Sequence, residues 1–281
     1  MSGVAGRALL PAPSRILGGL AASGAIGALA YRRGALSRGG VAGAVLTGTT
    51  IFAGSGLVPA SLLVTFFVSS SALSHRRKGR KAEAAVVEAE KGARRDLTQT
   101  LANGGAAALL VLVGRACPAS PWLPALIGAL ATTNADTWAT EIGLLNRRAP
   151  RLITTGRAVP PGTSGGISPL GTGAAAAGAA LIGVVAVVGQ RLAGERAGWL
   201  FPLALVAGLG GSFADSLLGA TVQARYRCPH CGVATERMVH RCGTPTVLGG
   251  GFRAIDNDAV NFVASVCGAA LGWVWGRVAA R

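Results

Sequence analysis

The feature that most constrains this chain is the succession of long apolar stretches, nearly free of charge, that fills most of its 281 residues. They lie at roughly 16–31, 40–54, 57–73, 99–114, 122–145, 168–189, 199–223 and 257–276. A helix needs about 20 apolar residues to cross a bilayer. The expected fold is therefore all-α, a polytopic transmembrane helical bundle of seven or eight spans. The stretch at 40–54 is short and is expected to be tilted or re-entrant. Charged residues make up 14% of the chain, against about 25% in a soluble domain. A soluble fold with so little polar surface is excluded.

Residues 1–36 read as an N-terminal segment holding a first transmembrane helix. Ala28-Leu29-Ala30 has the small-x-small form of a leader cleavage site, but Arg32, Arg33 and Arg38 suit the cytoplasmic flank of a retained helix, the reading preferred here. Residues 37–281 form the polytopic membrane domain, with loops at 74–98, 146–167 and 224–255.

The net charge of +16 would suggest nucleic acid in a soluble protein, but in a membrane protein it is the ordinary orientation signal, and no aromatic-rich basic module accompanies it, so nucleic-acid binding is not expected. The basic residues gather instead in the three loops after Leu73, Leu145 and Gln223, all on one side if every span crosses once. The positive-inside rule makes that side cytoplasmic. The segment 81–97 reads as an amphipathic helix with a solvated charged face, with phosphate contact by Arg94 or Arg95 as the rival reading. Gly268, Gly272 and Gly276, four residues apart, read as a packing face of the last span.

Acidic residues are scarce, 11 in all, so their positions carry information. Asp136, Glu141, Asp215, Asp256 and Asp258 lie in or at the ends of apolar spans, where a carboxylate costs roughly 2.5–3.5 kcal/mol and needs a partner. Asn134, Asp136, Thr137, Thr140 and Glu141 cluster in the fifth span, and Thr133, Asp136, Thr137, Thr140 and Glu141 lie along one polar stripe of it. Ser212, Asp215 and Ser216 share a face of the seventh. Ala-Asp-Thr/Ser occurs in both, a weak internal repeat that leaves a two-fold arrangement of transporter-like halves open. Asp256, Asn257, Asp258 and Asn261 open the last span, where capping explains one of them. Gly162-Thr163-Ser164-Gly165-Gly166 forms a Gly-rich loop before a helix, the setting of an anion site or of a plain turn.

Hard oxygen donors in this number suit Mg²⁺ bridging carboxylates to phosphate; Asp136, Asp215 and Asp258 are the expected ligands, assisted by Glu141 and Asp256. No Gly-Lys-Ser/Thr marks a P-loop, and a hydrolase elbow of the Gly-x-Ser-x-Gly type is not expected. Cys228, Cys231, His240 and Cys242 have the softness and spacing of a structural Zn²⁺ site, with a redox pair or no metal as alternatives.

Asn134 to Gly143 (NADTWATEIG), Pro150 to Thr155 (PRLITT), Pro161 to Ser168 (PGTSGGIS), Gly211 to Gln223 (GSFADSLLGATVQ) and Ile255 to Phe262 (IDNDAVNF) resemble, in order, the transmembrane-protein-19 family, formerly the domain-of-unknown-function 92 integral membrane family. The resemblance runs from about Ser37 to Trp275. It implies a membrane phosphotransferase, since plant members are associated with phytyl-phosphate kinase activity in vitamin E synthesis. The implied substrate is an isoprenoid monophosphate, the implied co-substrate CTP or ATP, and the implied place a bacterial inner membrane, or a plastid membrane in a photosynthetic eukaryote. A transporter or flippase with acidic ion sites is the alternative function. The oligomeric state is left open.

Overall fold

In the computed structural model, which describes residues 11–77 and 94–279, eight long helices account for the apolar stretches. They are α1 (Pro13–Arg32), α2 (Arg38–Ser55), α3 (Leu57–Arg77), α4 (Leu97–Ala116), α5 (Trp122–Gly143), α6 (Pro169–Leu192), α7 (Leu200–Thr221) and α8 (Asn257–Ala279). Five of them, α3, α4, α6, α7 and α8, are long and apolar enough to cross a membrane on their own. Apolar side chains such as Leu46, Leu109, Val184, Val188, Val206 and Val274 stand exposed on the outer helix faces. A soluble protein would bury that surface; lipid covers it here.

Local chemistry sets the helix ends. Ser37 starts α2 by accepting the Gly40 amide at 3.1 Å, so the expected stretch at 40–54 grows to 18 residues. Gly56, with φ of +86°, turns the chain between α2 and α3, a conformation that costs other residues strain. Asp96 and Gln99 form a capping box at the start of α4, satisfying amides the first turn leaves open. The amphipathic helix expected over 81–97 falls, up to residue 93, outside the described residues.

Helix α5 is the central post. It packs against α3, α4, α6, α7 and α8, and residues 125–135 are buried without a break. Gly268, Gly272 and Gly276 do form the expected packing face: a side chain at Gly268 would meet Thr132 and Gly128, and one at Gly272 or Gly276 would meet Pro124. Lipid offers no hydrophobic drive between helices, so this close backbone approach carries the association.

The C-terminal ends of α3, α5 and α7 meet the N-terminal ends of α4, α6 and α8 around one cavity. Two small sheets cover that end. β1 (Arg151–Leu152) pairs antiparallel with β2 (Gly166–Ile167) in the α5–α6 connection. β3 (Arg225–Arg227), β4 (Ala234–Thr235) and β5 (Val247–Gly250) form a sheet of order β4-β3-β5 between α7 and α8. The α1–α2 turn joins this end through backbone bonds between Ser37 and Arg95 and between Arg95 and Ala35, both 2.9 Å. The α5–α6 and α7–α8 loops and the described ends of the α3–α4 connection thus lie at one end of the bundle. Helices α5 and α7 run in the same direction, so their Ala-Asp-Thr/Ser cores are parallel copies.

Candidate functional site

The cavity has a volume of about 320 Å³ and is walled by α3 to α8. On α5, Asp136 and Thr140 stand one turn apart, as do Thr137 and Glu141, and all four line it. On α7 the polar lining residues Ser212, Asp215 and Ser216 are joined by Gly219 and continued by Gln223, a single face at three- and four-residue steps, with Leu209 and Phe213 beside it. The carboxyls of Asp136 and Asp215 lie within hydrogen-bonding reach of each other. Asp215 Oδ2 is buried and has no hydrogen-bond partner among the described residues. A buried oxygen is rarely left this way without something to bind.

Gly162 to Gly166 close the cavity from the loop side. Gly162 and Gly165 have φ of +85° and +81°, and a Cβ on Gly165 would lie 2.5 Å from that of Ala220. Only glycine lets this turn settle on α7, and Gly219 supplies the seat: its own Cβ would lie 3.1 Å from the Gly165 nitrogen. Read as a motif, Gly162 to Gly166 does spell Gly-x-Ser-x-Gly, contrary to expectation. The context still refuses a hydrolase: Ser164 sits in a loop rather than a strand-to-helix elbow, its hydroxyl donates to Glu236 at 2.7 Å, and no histidine lines the cavity.

Other expectations are corrected by side-chain direction. Asn134 lies deeper than the cavity; it accepts from Ser69 at 2.9 Å and donates to the Gly178 carbonyl at 2.7 Å, joining α3, α5 and α6. Asp256 is exposed and accepts the Ala259 amide at 2.9 Å as the cap of α8. Asp258 is buried but looks away from the cavity toward Thr98, because it stands about 100° round the helix from Asn257. Asn257 and Asn261, one turn apart, are the α8 residues that reach the cavity. The trio Asp136, Asp215 and Asp258 is therefore not brought together.

Two charged lining residues, Glu236 and Arg148, were not foreseen, and a third, Arg95, was named only in the rival reading of its segment. Glu236, just after β4, accepts from Ser164 and from Gln223 Nε2, both at 2.7 Å, and its charge is felt at Asp215. Nothing in a polar loop sequence singles it out. Arg148 lines the α5–α6 side. Arg95 lines the cavity while its guanidinium lies 5.4 Å from the centre of the Phe66 ring and 5.9 Å from that of Phe67. Burial pushes Arg95 down to about 10, opposed by the carboxylate of Glu141. Glu141, which also lines the cavity, accepts from Ser74 at 2.9 Å. Arg94, the other basic residue considered for phosphate, is exposed and packs over Tyr31 at 5.1 Å.

Beyond Arg95 and Asn103, which line both spaces, an apolar cleft runs between α1, α2, α3 and α4, walled by Ile26, Leu36, Leu63, Phe66 and Phe67.

The ligand atoms of Cys228, Cys231, His240 and Cys242 all fall within 4.8 Å of one another. The Cys228 and Cys242 sulfurs are 3.7 Å apart, and His240 Nδ1 is 3.0 Å from Cys242 Sγ. Hydrogen bonding with Thr244 and then His240 pushes the Cys242 thiol down to about 5.

Residues 21–269 match a family described as integral membrane protein DUF92. The chain belongs to the DUF92 integral membrane family. It is 33% identical over 257 residues to Protein PGR of Arabidopsis thaliana, covering 83% of this chain and 86% of that one. It is 32% identical over 190 residues to an uncharacterized membrane protein of Methanocaldococcus jannaschii, covering 66% and 74%. No solved structure matches significantly. DUF92 membership bears out the transmembrane-protein-19 resemblance and the multi-pass membrane setting.

Proposed function

We propose that the cavity is a phosphotransfer site, and that this DUF92 protein is an isoprenoid (phytyl or prenyl) phosphate kinase that makes the diphosphate from a nucleoside triphosphate with Mg²⁺. The observation that carries the reading is the facing pair Asp136 and Asp215, with one Asp215 oxygen buried and unpartnered. Two carboxylates at this range repel each other, and a divalent cation shared with phosphate relieves both. Asp136 and Asp215 would hold the ion; bound, it neutralises charge on the phosphates. Asp258 is withdrawn as a ligand.

The remaining lining residues suit the substrates. The Gly162–Gly166 turn, Arg95 and the N-terminal ends of α6 and α8 supply amide and guanidinium donors to phosphate oxygens. The apolar cleft past Arg95 suits a prenyl tail, which leaves its phosphate at the guanidinium. An oxygen of the lipid phosphate is itself the nucleophile: its bond to the transferred phosphorus forms as the bond to the nucleoside diphosphate breaks. Such a transfer asks of the protein positioning and charge neutralisation, which agrees with a cavity rich in carboxylates and Gly and without histidine. The positive-inside rule puts the reaction at the cytoplasmic leaflet.

The test is purified protein in nanodiscs with phytyl or geranylgeranyl phosphate, Mg²⁺, and CTP or ATP, read by mass spectrometry of the lipid. Diphosphate is expected, with a loss of about 10²-fold or more in Asp215→Asn. No product with either nucleotide, or lipid flux in proteoliposomes that requires an ion gradient and no nucleotide, overturns the kinase in favour of a transporter.

A further inference from the structure

The loop that carries the cysteines is unlike the rest of the molecule. From β3 to β5 its strands are two to four residues long, and its buried side chains are few: Tyr226, Cys228 and Thr235. A unit this small cannot bury enough apolar surface to hold its shape and needs another tie. Two tight turns face each other inside it. The first closes on Cys228, whose amide donates to the Val233 carbonyl at 2.9 Å and whose sulfur accepts the Cys231 amide at 3.4 Å. The second closes on His240, whose amide donates to the Thr244 carbonyl at 2.9 Å. Each turn offers two soft ligands to one point.

We infer that Cys228, Cys231, His240 and Cys242 bind a zinc ion, and that this ion holds Glu236 in place as a clamp on the Gly-rich loop of the cavity. Three thiolates and one imidazole are the donor set of a closed tetrahedral zinc site. At about 2.3 Å per zinc–sulfur bond, tetrahedral sulfurs stand roughly 3.8 Å apart, close to the 3.7 Å between Cys228 and Cys242. All four ligand positions come from the protein, so the ion has no open place for a substrate and its work is structural.

Glu236 stands between the two turns in sequence, directly after β4. Its Oε1 receives Ser164 from the Gly-rich loop and Gln223 from the end of α7, each at 2.7 Å, while Gln223 Nε2 lies 3.2 Å from Ser164 Oγ. These contacts tie ribbon, loop and helix at one carboxylate. Binding energy at the metal becomes folding energy of the ribbon, and Glu236 passes it to Ser164. Glu236 is thus a positioning residue. The inference holds whichever phosphate the cavity takes, and its test needs no turnover.

Full-length protein in detergent is analysed for bound metal and for amide hydrogen exchange. One zinc per chain is expected, and cobalt in its place gives the thiolate charge-transfer and tetrahedral d–d bands. Stripping zinc from the wild type with a chelator under reducing conditions raises exchange in 162–166 about tenfold or more, with the middle of α5 unchanged. Glu236→Ala keeps the zinc and frees the same loop, which separates the clamp from ribbon folding. Purified protein without zinc that also takes up none when reduced overturns the site, as does a disulfide among these cysteines. Unchanged loop exchange after stripping, or in Glu236→Ala, overturns the clamp.

Discussion

Replacing Asp215 by Asn should make the metal-free protein more stable, although it removes a residue from the heart of the site. The Asp136 and Asp215 carboxyls lie within hydrogen-bonding reach, and two unit charges 4 Å apart repel by about 4 kcal/mol at an effective dielectric of ~20. Uptake of a proton relieves part of this, so about 1–4 kcal/mol survives at neutral pH. Asn is isosteric, and Asp215 Oδ2 has no hydrogen bond to lose. At roughly 2–4 °C per kcal/mol, unfolding of the variant in EDTA should occur several degrees above wild type. The assay is thermal unfolding in detergent with EDTA and then with rising Mg²⁺. Wild type should gain stability with Mg²⁺ while Asp215→Asn does not. A variant that is less stable in EDTA and still responds to Mg²⁺ would refute the shared-cation reasoning.

Three further outcomes follow from the geometry. Gly165→Ala puts a Cβ against Ala220 and strains a turn at φ +81°; it should cost about 1–3 kcal/mol locally and appear as faster proteolysis of the Gly-rich loop. Asp256→Ala removes the cap of α8 and should lower stability by about 1 kcal/mol while leaving Mg²⁺-induced stabilisation intact, since Asp256 does not line the cavity. Arg95→Met preserves packing on Phe66 and Phe67 but removes the charge held by Glu141; phosphate-lipid affinity, read by equilibrium binding, should fall about tenfold or more. In the wild type that affinity should show no Arg95-dependent loss between pH 6 and 9, because a group whose value lies at about 10 loses its charge only above that range.

All eight helices were legible because an apolar run bounded by Gly, Pro or charge has one solution in lipid. The clusters on α5 and α7 were legible for a related reason: carboxylates are expensive there, so Asp136 and Asp215 announce themselves. The Gly162–Gly166 turn announced itself through composition. Asp258 misled because spacing within four residues does not fix which face a helix turns to its neighbours; the packing of Gly268 and Gly272 on α5 sets that rotation. Asn134 misled because a polar residue in a span serves helix packing as well as chemistry. Glu236 was invisible, since an acid in an exposed loop costs nothing and carries no signal until Ser164 and Gln223 are seen to meet it.

The position of α5 bears on how the protein is made. This helix is not among those apolar enough to enter a bilayer unaided, for it carries Asp136 and Glu141, yet it touches five others. A segment with these side chains partitions poorly from the translocon into lipid as a lone helix. Its residence in the membrane therefore depends on its neighbours, α3 and α4 made before it and α6, α7 and α8 made after it, so the post around which the bundle assembles is fully enclosed only once α8 has emerged from the ribosome.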